Sequence, residues 1–158
     1  MLRGLSKRER SETVLRWLLL VLPLVLAIRH WVWSPTLIQG DSMSPTLHSG
    51  QFMWINKLAY RFTEPRRGEV VAVWTEHDLM VKRIIGLPGE EIACHDGVFY
   101  LNGHPLPEPY VKFTSPTSVR SGKLEQDCFV VAGDNRVQSV LAVVRRDRII
   151  GRIARALF

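Results

Sequence analysis

Ser42 stands in the segment Ile38-Gln-Gly-Asp-Ser-Met-Ser-Pro-Thr-Leu47, between turn-forming residues and an apolar run, where a tight loop would present its hydroxyl. A serine hydroxyl attacks a carbonyl only with a base beside it. Two known frames for such a serine fail. The G-x-S-x-G elbow needs glycine where Ser44 stands and a helix pattern after it, and S-x-x-K needs lysine where Pro45 stands. His30, His48, His77, His95 and His104 keep a Ser-His-Asp triad open by count, though each also reads as an ordinary surface or loop residue. Lys82 offers a different base. In Leu79-Met-Val-Lys-Arg-Ile-Ile85, period-2 alternation puts Met80, Lys82 and Ile84 on one face and Val81, Arg83 and Ile85 on the other. Apolar neighbours on that face desolvate an ammonium and lower its pKa from about 10.4, and a neutral amine can take a hydroxyl proton. The same alternation also fits a snorkelling Lys82 with Arg83 as an ion-pair partner.

Such groups need a scaffold, and the chain after residue 34 reads as short β-type runs. The expected strands are Gln51–Asn56, Glu69–Thr75, Leu79–Gly86, Glu91–Cys94, Val98–Leu101, Cys128–Ala132 and Arg148–Ile153. Turn signals separate them: Ser49-Gly50, Arg67-Gly68, Pro88-Gly89, Asp96-Gly97, Asn102-Gly103 and Gly133-Asp134. That spacing predicts a mostly antiparallel β domain with barrel-like closure. Pro105–Lys123, rich in Pro, Ser and Thr, reads as a long exposed loop.

Ahead of this body, residues 17–28 read WLLLVLPLVLAI without a charge. A membrane span needs roughly 20 residues, and Thr13–Leu15 and Trp31–Trp33 extend the run, with Arg16 and Arg29 placed to snorkel. A cleaved signal has a similar layout, but no small-x-small site follows Ile28; a buried core helix would have to be apolar all round. The expected organisation is a basic cytoplasmic tail over 1–13, a transmembrane signal anchor over 14–33 and a β domain over 34–158. Residues 1–16 carry a net +3, which by the positive-inside rule leaves the N-terminus in the cytoplasm and the domain outside.

The 158 residues, 46% hydrophobic and 23% charged, suit one domain with an appendage and exclude a wholly disordered chain. The net charge of +6 is concentrated at the ends: 136–158 carries +5 and 17–135 carries −2. The body is therefore not a polyanion binder, and no nucleic-acid partner is expected. Cys94 and Cys128 have no ligand-like spacing, so no metal is expected. A disulfide and two separate buried thiols both remain open for them.

Four blocks resemble the bacterial type I signal peptidases, serine proteases with a Ser/Lys dyad: GDSMSPTLHSG (40–50), RRGEVVAV (66–73), VKRIIGLPGEEI (81–92) with LNG (101–103), and GDNRVQS (133–139). They occur in the family's order across most of the domain. The resemblance implies a mainly β, antiparallel catalytic domain outside the bacterial cytoplasmic membrane, held by one N-terminal transmembrane helix. It implies removal of signal peptides from exported preproteins after small residues at −1 and −3, without a cofactor. Ser42 would be the nucleophile and Lys82 the general base. The Ser42 N–H would donate to the oxyanion, with Gly40 where many members carry a second serine. Ser139 would orient the lysine, Leu79, Met80 and Val81 would pair with substrate, and Met43 would pack near the site. The chain departs from the family after Ser139, where Leu141, Ala142 and Val143 replace an Asp-Ser-Arg run. Arg83 thereby loses its expected acid, for which Asp134 is the available replacement; Arg136 joins these two as a structural residue. The departure leaves open a specialised maturation peptidase of plasmid-transfer type or a catalytically dead, membrane-tethered binding domain.

Overall fold

The computed structural model describes residues 7–75 and 78–155, apart from the side chains of 7–10, 27–30 and 155. His77, the side chains of Arg29 and His30, and the first part of the expected basic tail lie outside the described residues. The elements are α1 (Lys7–Val32), β1 (Trp33–Leu37), β2 (Phe52–Asn56), β3 (Val70–Trp74), β4 (Leu79–Gly86), β5 (Glu91–His95), β6 (Val98–Leu101), β7 (His104–Pro105), β8 (Val119–Lys123), β9 (Cys128–Ala132), β10 (Ala142–Arg145) and β11 (Ile149–Arg155).

Cys128–Ala132 is apolar and buried at every position, as a strand covered on both faces must be. It lies inside a seven-stranded antiparallel sheet of order β1-β2-β11-β3-β4-β9-β10. Its alternate residues Phe129 and Val131 join Val71, Val73, Ile84 and Ile149 in one cluster. Val130 and Ala132 face the other way, onto Ile92, Cys94 and Phe99 of a second, four-stranded sheet of order β7-β6-β5-β8. Two hairpins of that second sheet turn on Asp96-Gly97 and Asn102-Gly103, with both residues of each pair at positive φ. That is the primed geometry for which Asp-Gly and Asn-Gly are selected.

The expected barrel closure is not found. The larger sheet ends in β1 on one side and β10 on the other, whereas a barrel pairs its first and last strands. The Pro105–Lys123 expectation also needs correcting: its last five residues form β8 against β5, and Glu108 and Tyr110 pack inward on arginines. Cys94 and Cys128 are separate buried free thiols, one in each sheet, so the disulfide alternative falls. Val14–Leu26 of α1 carry exposed apolar side chains. Among the described residues no helix is long and apolar enough to cross a membrane.

Candidate active site

The loop bearing Ser42 is tied at its neck by two backbone bonds, Ile38 N–H to Gln51 O and Gly50 N–H to Ile38 O, each 2.9 Å. Inside it, Leu47 N–H donates to Met43 O at 2.9 Å, making a single helical turn. Ile38, Met43 and Leu47 are buried against Met53, with Val70, Val81 and Ile153 packed around them. Met43, 1% exposed, thus anchors the loop from below, and its neighbour Ser42 is left half-buried at the surface. From the other side, Asn135 N–H donates to the Ser42 carbonyl at 3.0 Å.

Lys82 is set by β4. Residues 79–82 pair with β3 through Trp74↔Leu79, Val73↔Met80, Ala72↔Val81 and Val71↔Lys82. Pairing with β9 begins only at Arg83↔Ala132, so the stretch before it keeps one unpaired edge. Along that edge runs a cleft of about 580 Å³, lined by Thr36–Gln39, Ser42, Met43, Trp74 and Asp78–Lys82, a size suited to a few residues of an extended peptide. Ser42 and Lys82 therefore open into one cleft. Lys82 is 5% exposed, and burial holds its amine below the ordinary lysine range. Its Nζ donates to Ser139 Oγ at 3.1 Å, and the same oxygen accepts the Gly133 N–H at 2.7 Å.

Arg83 has an acidic partner after all. Its Nε donates to Asp134 Oδ1 at 2.8 Å and its Nη2 to Oδ2 at 2.6 Å, a two-point pair in which the aspartate is fully buried. Thr46 Oγ1 also donates to Asp134, so this carboxylate ties the Ser42 loop to β4. Removing one member of such a pair strands a buried charge. Asp134→Ala is expected to lower unfolding stability by about 3–5 kcal/mol in urea titration; a loss under about 1 kcal/mol would deny the pair its structural part.

Of the residues expected from sequence, Ser42, Met43, Leu79, Met80, Val81 and Lys82 meet in the cleft, and Ser139 reaches it through Lys82. Gly40 does not line the cleft; it adopts φ +76, and its N–H donates to Ser49 Oγ at 3.2 Å. Arg136 lies beneath, its Nε donating to Gly133 O at 2.9 Å and its guanidinium stacked 4.7 Å from the Phe99 ring. Among the described residues no histidine lines the cleft; His48, His95 and His104 are exposed. The sequence marks Gly133 only as a turn residue and gives Asn135 no role, although both lie in a quoted block. Glu108 and Tyr110 were hidden in a stretch without periodicity.

The family model for signal peptidase, peptidase S26, matches residues 11–157. The chain belongs to this family. Signal peptidase I T of Bacillus subtilis is 32% identical, over 92% of this chain and 86% of that protein. Probable signal peptidase I-2 of a Synechocystis strain is 34% identical, over 95% and 77%. A solved signal peptidase I from Enterococcus faecalis has a TM-score of 0.49 at 23% identity, spanning 58% of this chain and 98% of that one. As a member of peptidase family S26, the chain is a serine endopeptidase.

Proposed function

We propose that this peptidase removes N-terminal signal peptides from exported preproteins, with Ser42 as nucleophile and Lys82 as its general base. The observation that carries the reading is a buried lysine, its pKa lowered by that burial, opening into the same cleft as Ser42. The neutral amine takes the Ser42 proton as Oγ attacks the scissile carbonyl. The Ser42 N–H is the first oxyanion donor, and removal of one such donor costs about 3–4 kcal/mol in well-studied proteases. Lys82, then protonated, gives its proton to the leaving amine, and the resulting acyl-enzyme is hydrolysed with Lys82 again acting as base. Ser139 holds the amine in line during both halves.

Substrate enters as an added strand on the unpaired edge of Leu79–Val81, with Thr36–Gln39 facing it across the cleft. Met43 closes the floor, leaving room for small side chains at −1 and −3. In this reading the helix α1 anchors the domain to the membrane, although its described residues alone are not long and apolar enough to cross it. Its apolar residues Val14–Leu26 are exposed, Ala27 and Ile28 continue the run in sequence, and its N-terminal side is basic, which favours a cytoplasmic N-terminus and an external catalytic domain.

The test is direct: incubate the detergent-solubilised protein with a preprotein bearing alanine at −1 and −3, and locate the cut by mass spectrometry. The expected cut lies after the −1 alanine. Ser42→Ala is expected to lower turnover at least about a thousandfold with folding intact; near-normal cleavage by that variant would overturn the nucleophile. No cut with the parent protein would favour the tethered binding domain, for which the Leu141-Ala142-Val143 replacement is the motive. Deleting residues 1–33 is expected to spare cleavage of a short soluble peptide and to slow processing of membrane-inserted precursors by about tenfold or more. Equal loss on both substrates would count against a pure anchor.

A further inference from the structure

The stretch Pro105–Lys123 was expected to be an exposed loop, yet ahead of β8 it carries two side chains, Glu108 and Tyr110, inward onto arginines. Glu108 grips Arg136 at both oxygens: Nη1 donates to Oε2 at 2.9 Å, and Nη2 donates to Oε1. The Glu108 and Arg136 side chains are 10% and 7% exposed. Tyr110 Oη donates to the same carboxylate at 2.9 Å, and the Tyr110 ring covers Arg83, whose guanidinium carbon lies 4.1 Å from the ring centre. Burial, and after it the charge and hydrogen bond of Glu108, push the Tyr110 phenol above its ordinary range, so it stays a donor.

What these two residues hold is a run of three. Arg136 fixes the Gly133 carbonyl, while the Gly133 N–H fixes Ser139 Oγ, the acceptor for Lys82. Arg83, under Tyr110, fixes Asp134. Asn135 then meets the Ser42 carbonyl. The strap is pinned to the same run by its own backbone, since Arg136 N–H donates to Phe113 O at 3.0 Å.

We infer that Glu108 and Tyr110 are positioning residues for catalysis: through Arg136 and Arg83 they hold residues 133–135 so that Ser139 Oγ meets Lys82 and Ser42 faces the cleft. This gives the chain a substitute for the Asp-Ser-Arg run replaced by Leu141-Ala142-Val143, supplied from a segment 28 positions before Arg136. The inference rests on the Ser42/Lys82 reading for its kinetic consequence but not for its geometry.

The experiment compares Glu108→Gln, Glu108→Asp and Tyr110→Phe in the full chain. Glu108→Gln keeps the shape and loses the charge; kcat on a short peptide is expected to fall about tenfold with KM within about twofold. Glu108→Asp restores the charge and should recover part of that loss. Tyr110→Phe keeps the ring over Arg83 and should cost about threefold in kcat.

A second readout is independent of turnover: NMR titration of Lys82 in a Ser42→Ala background. The charged groups on the segments joined to Lys82 through the cleft and the 133–139 turn are the Arg83–Asp134 pair, the Arg136–Glu108 pair, Asp78 in the cleft, and Asp41 next to Ser42 in sequence. Glu108→Gln leaves Arg136 unbalanced and loosens the Ser139 acceptor. Both changes disfavour the ammonium, so the Lys82 midpoint should move to lower pH. An unmoved midpoint together with kcat within about twofold of the parent would overturn the inference, even if thermal stability fell. Should Glu108→Gln fail to fold, Tyr110→Phe decides by the same two readouts. Because the titration follows Lys82 without turnover, an active Ser42→Ala protein would sink the dyad and leave this test standing.

Discussion

Replacing Lys82 by methionine should abolish turnover and, at neutral pH, make the domain more stable. Methionine fills a similar volume without a charge, so the strand pairing Val71↔Lys82 and the packing about it survive. What goes is the proposed base, and kcat/KM on a short peptide should fall at least about a thousandfold. The stability gain follows from linkage. Burial lowers the folded-state pKa of Lys82, while in the unfolded chain the amine titrates near its free value of about 10.4. Between those two values the unfolded state binds the extra proton, so parent stability rises with pH, is complete above the unfolded pKa, and is lost as pH falls towards the folded one. Lys82→Met lacks this slope. The gap between variant and parent should therefore widen as pH drops through that window, as urea titrations at several pH values would record. Parent activity should rise as pH climbs through the folded-state pKa, at the lower end of that window, where the folded amine loses its proton. A flat rate profile from about pH 5 to about 9, with chemistry rate-limiting, would count against lysine as the base. So would a methionine variant that keeps the parent's stability slope.

The sequence pattern located the strands inside the sheets and missed those at their borders, and the reason is physical. Leu79–Gly86, Val98–Leu101 and Cys128–Ala132 were expected with the boundaries they have; each is flanked on both sides by other strands for at least part of its length, and burial writes itself into β-branched and aromatic residues. The four strands that were not expected are β1, β10, β7 and β8, which are the four edges of the two sheets. An edge strand makes one ladder and is half solvated, so its composition is only weakly constrained. Trp33–Leu37 contains Pro35, tolerated at an edge, and Val119-Arg-Ser-Gly-Lys123 is exposed at four of its five positions.

The site divides in the same way. A motif and an alternation point to Ser42 and Lys82 in the sequence, and the structure brings both to one cleft. Asp134 was legible only as the available acid for Arg83, and in the structure the two form a two-point pair. Glu108 was not legible at all: nothing in the sequence marks which acid will cross from a proline-rich stretch to a particular arginine. Ion pairs between distant segments leave no period to read.

Gly133 lies close against both the Ser42 backbone and Ser139, and adding one methyl group there should damage catalysis more than its size suggests. A Cβ on Gly133 would stand 2.1 Å from the Ser42 carbonyl oxygen, 2.5 Å from Ser139 Oγ and 2.7 Å from Ser139 Cβ. The first of these is backbone, held in place by the Asn135 N–H, and cannot swing aside as a flexible side chain would. Relief must come from moving the Ser42 loop away from β9 or from turning Ser139 away from Lys82. Either motion disturbs the geometry of the proposed nucleophile and base, so Gly133→Ala should lower kcat by about a hundredfold, with about 1–3 kcal/mol of stability lost to overpacking. Gly151 supplies the comparison. A Cβ there would meet the Asn56 carbonyl oxygen at 2.3 Å, an equally tight clash between β11 and β2 but away from the cleft. Gly151→Ala should therefore cost a similar amount of stability and, measured on the folded fraction, leave kcat within about twofold of the parent. If the two variants lose activity in step with stability alone, the close approach at Gly133 serves the fold and has no particular claim on the dyad.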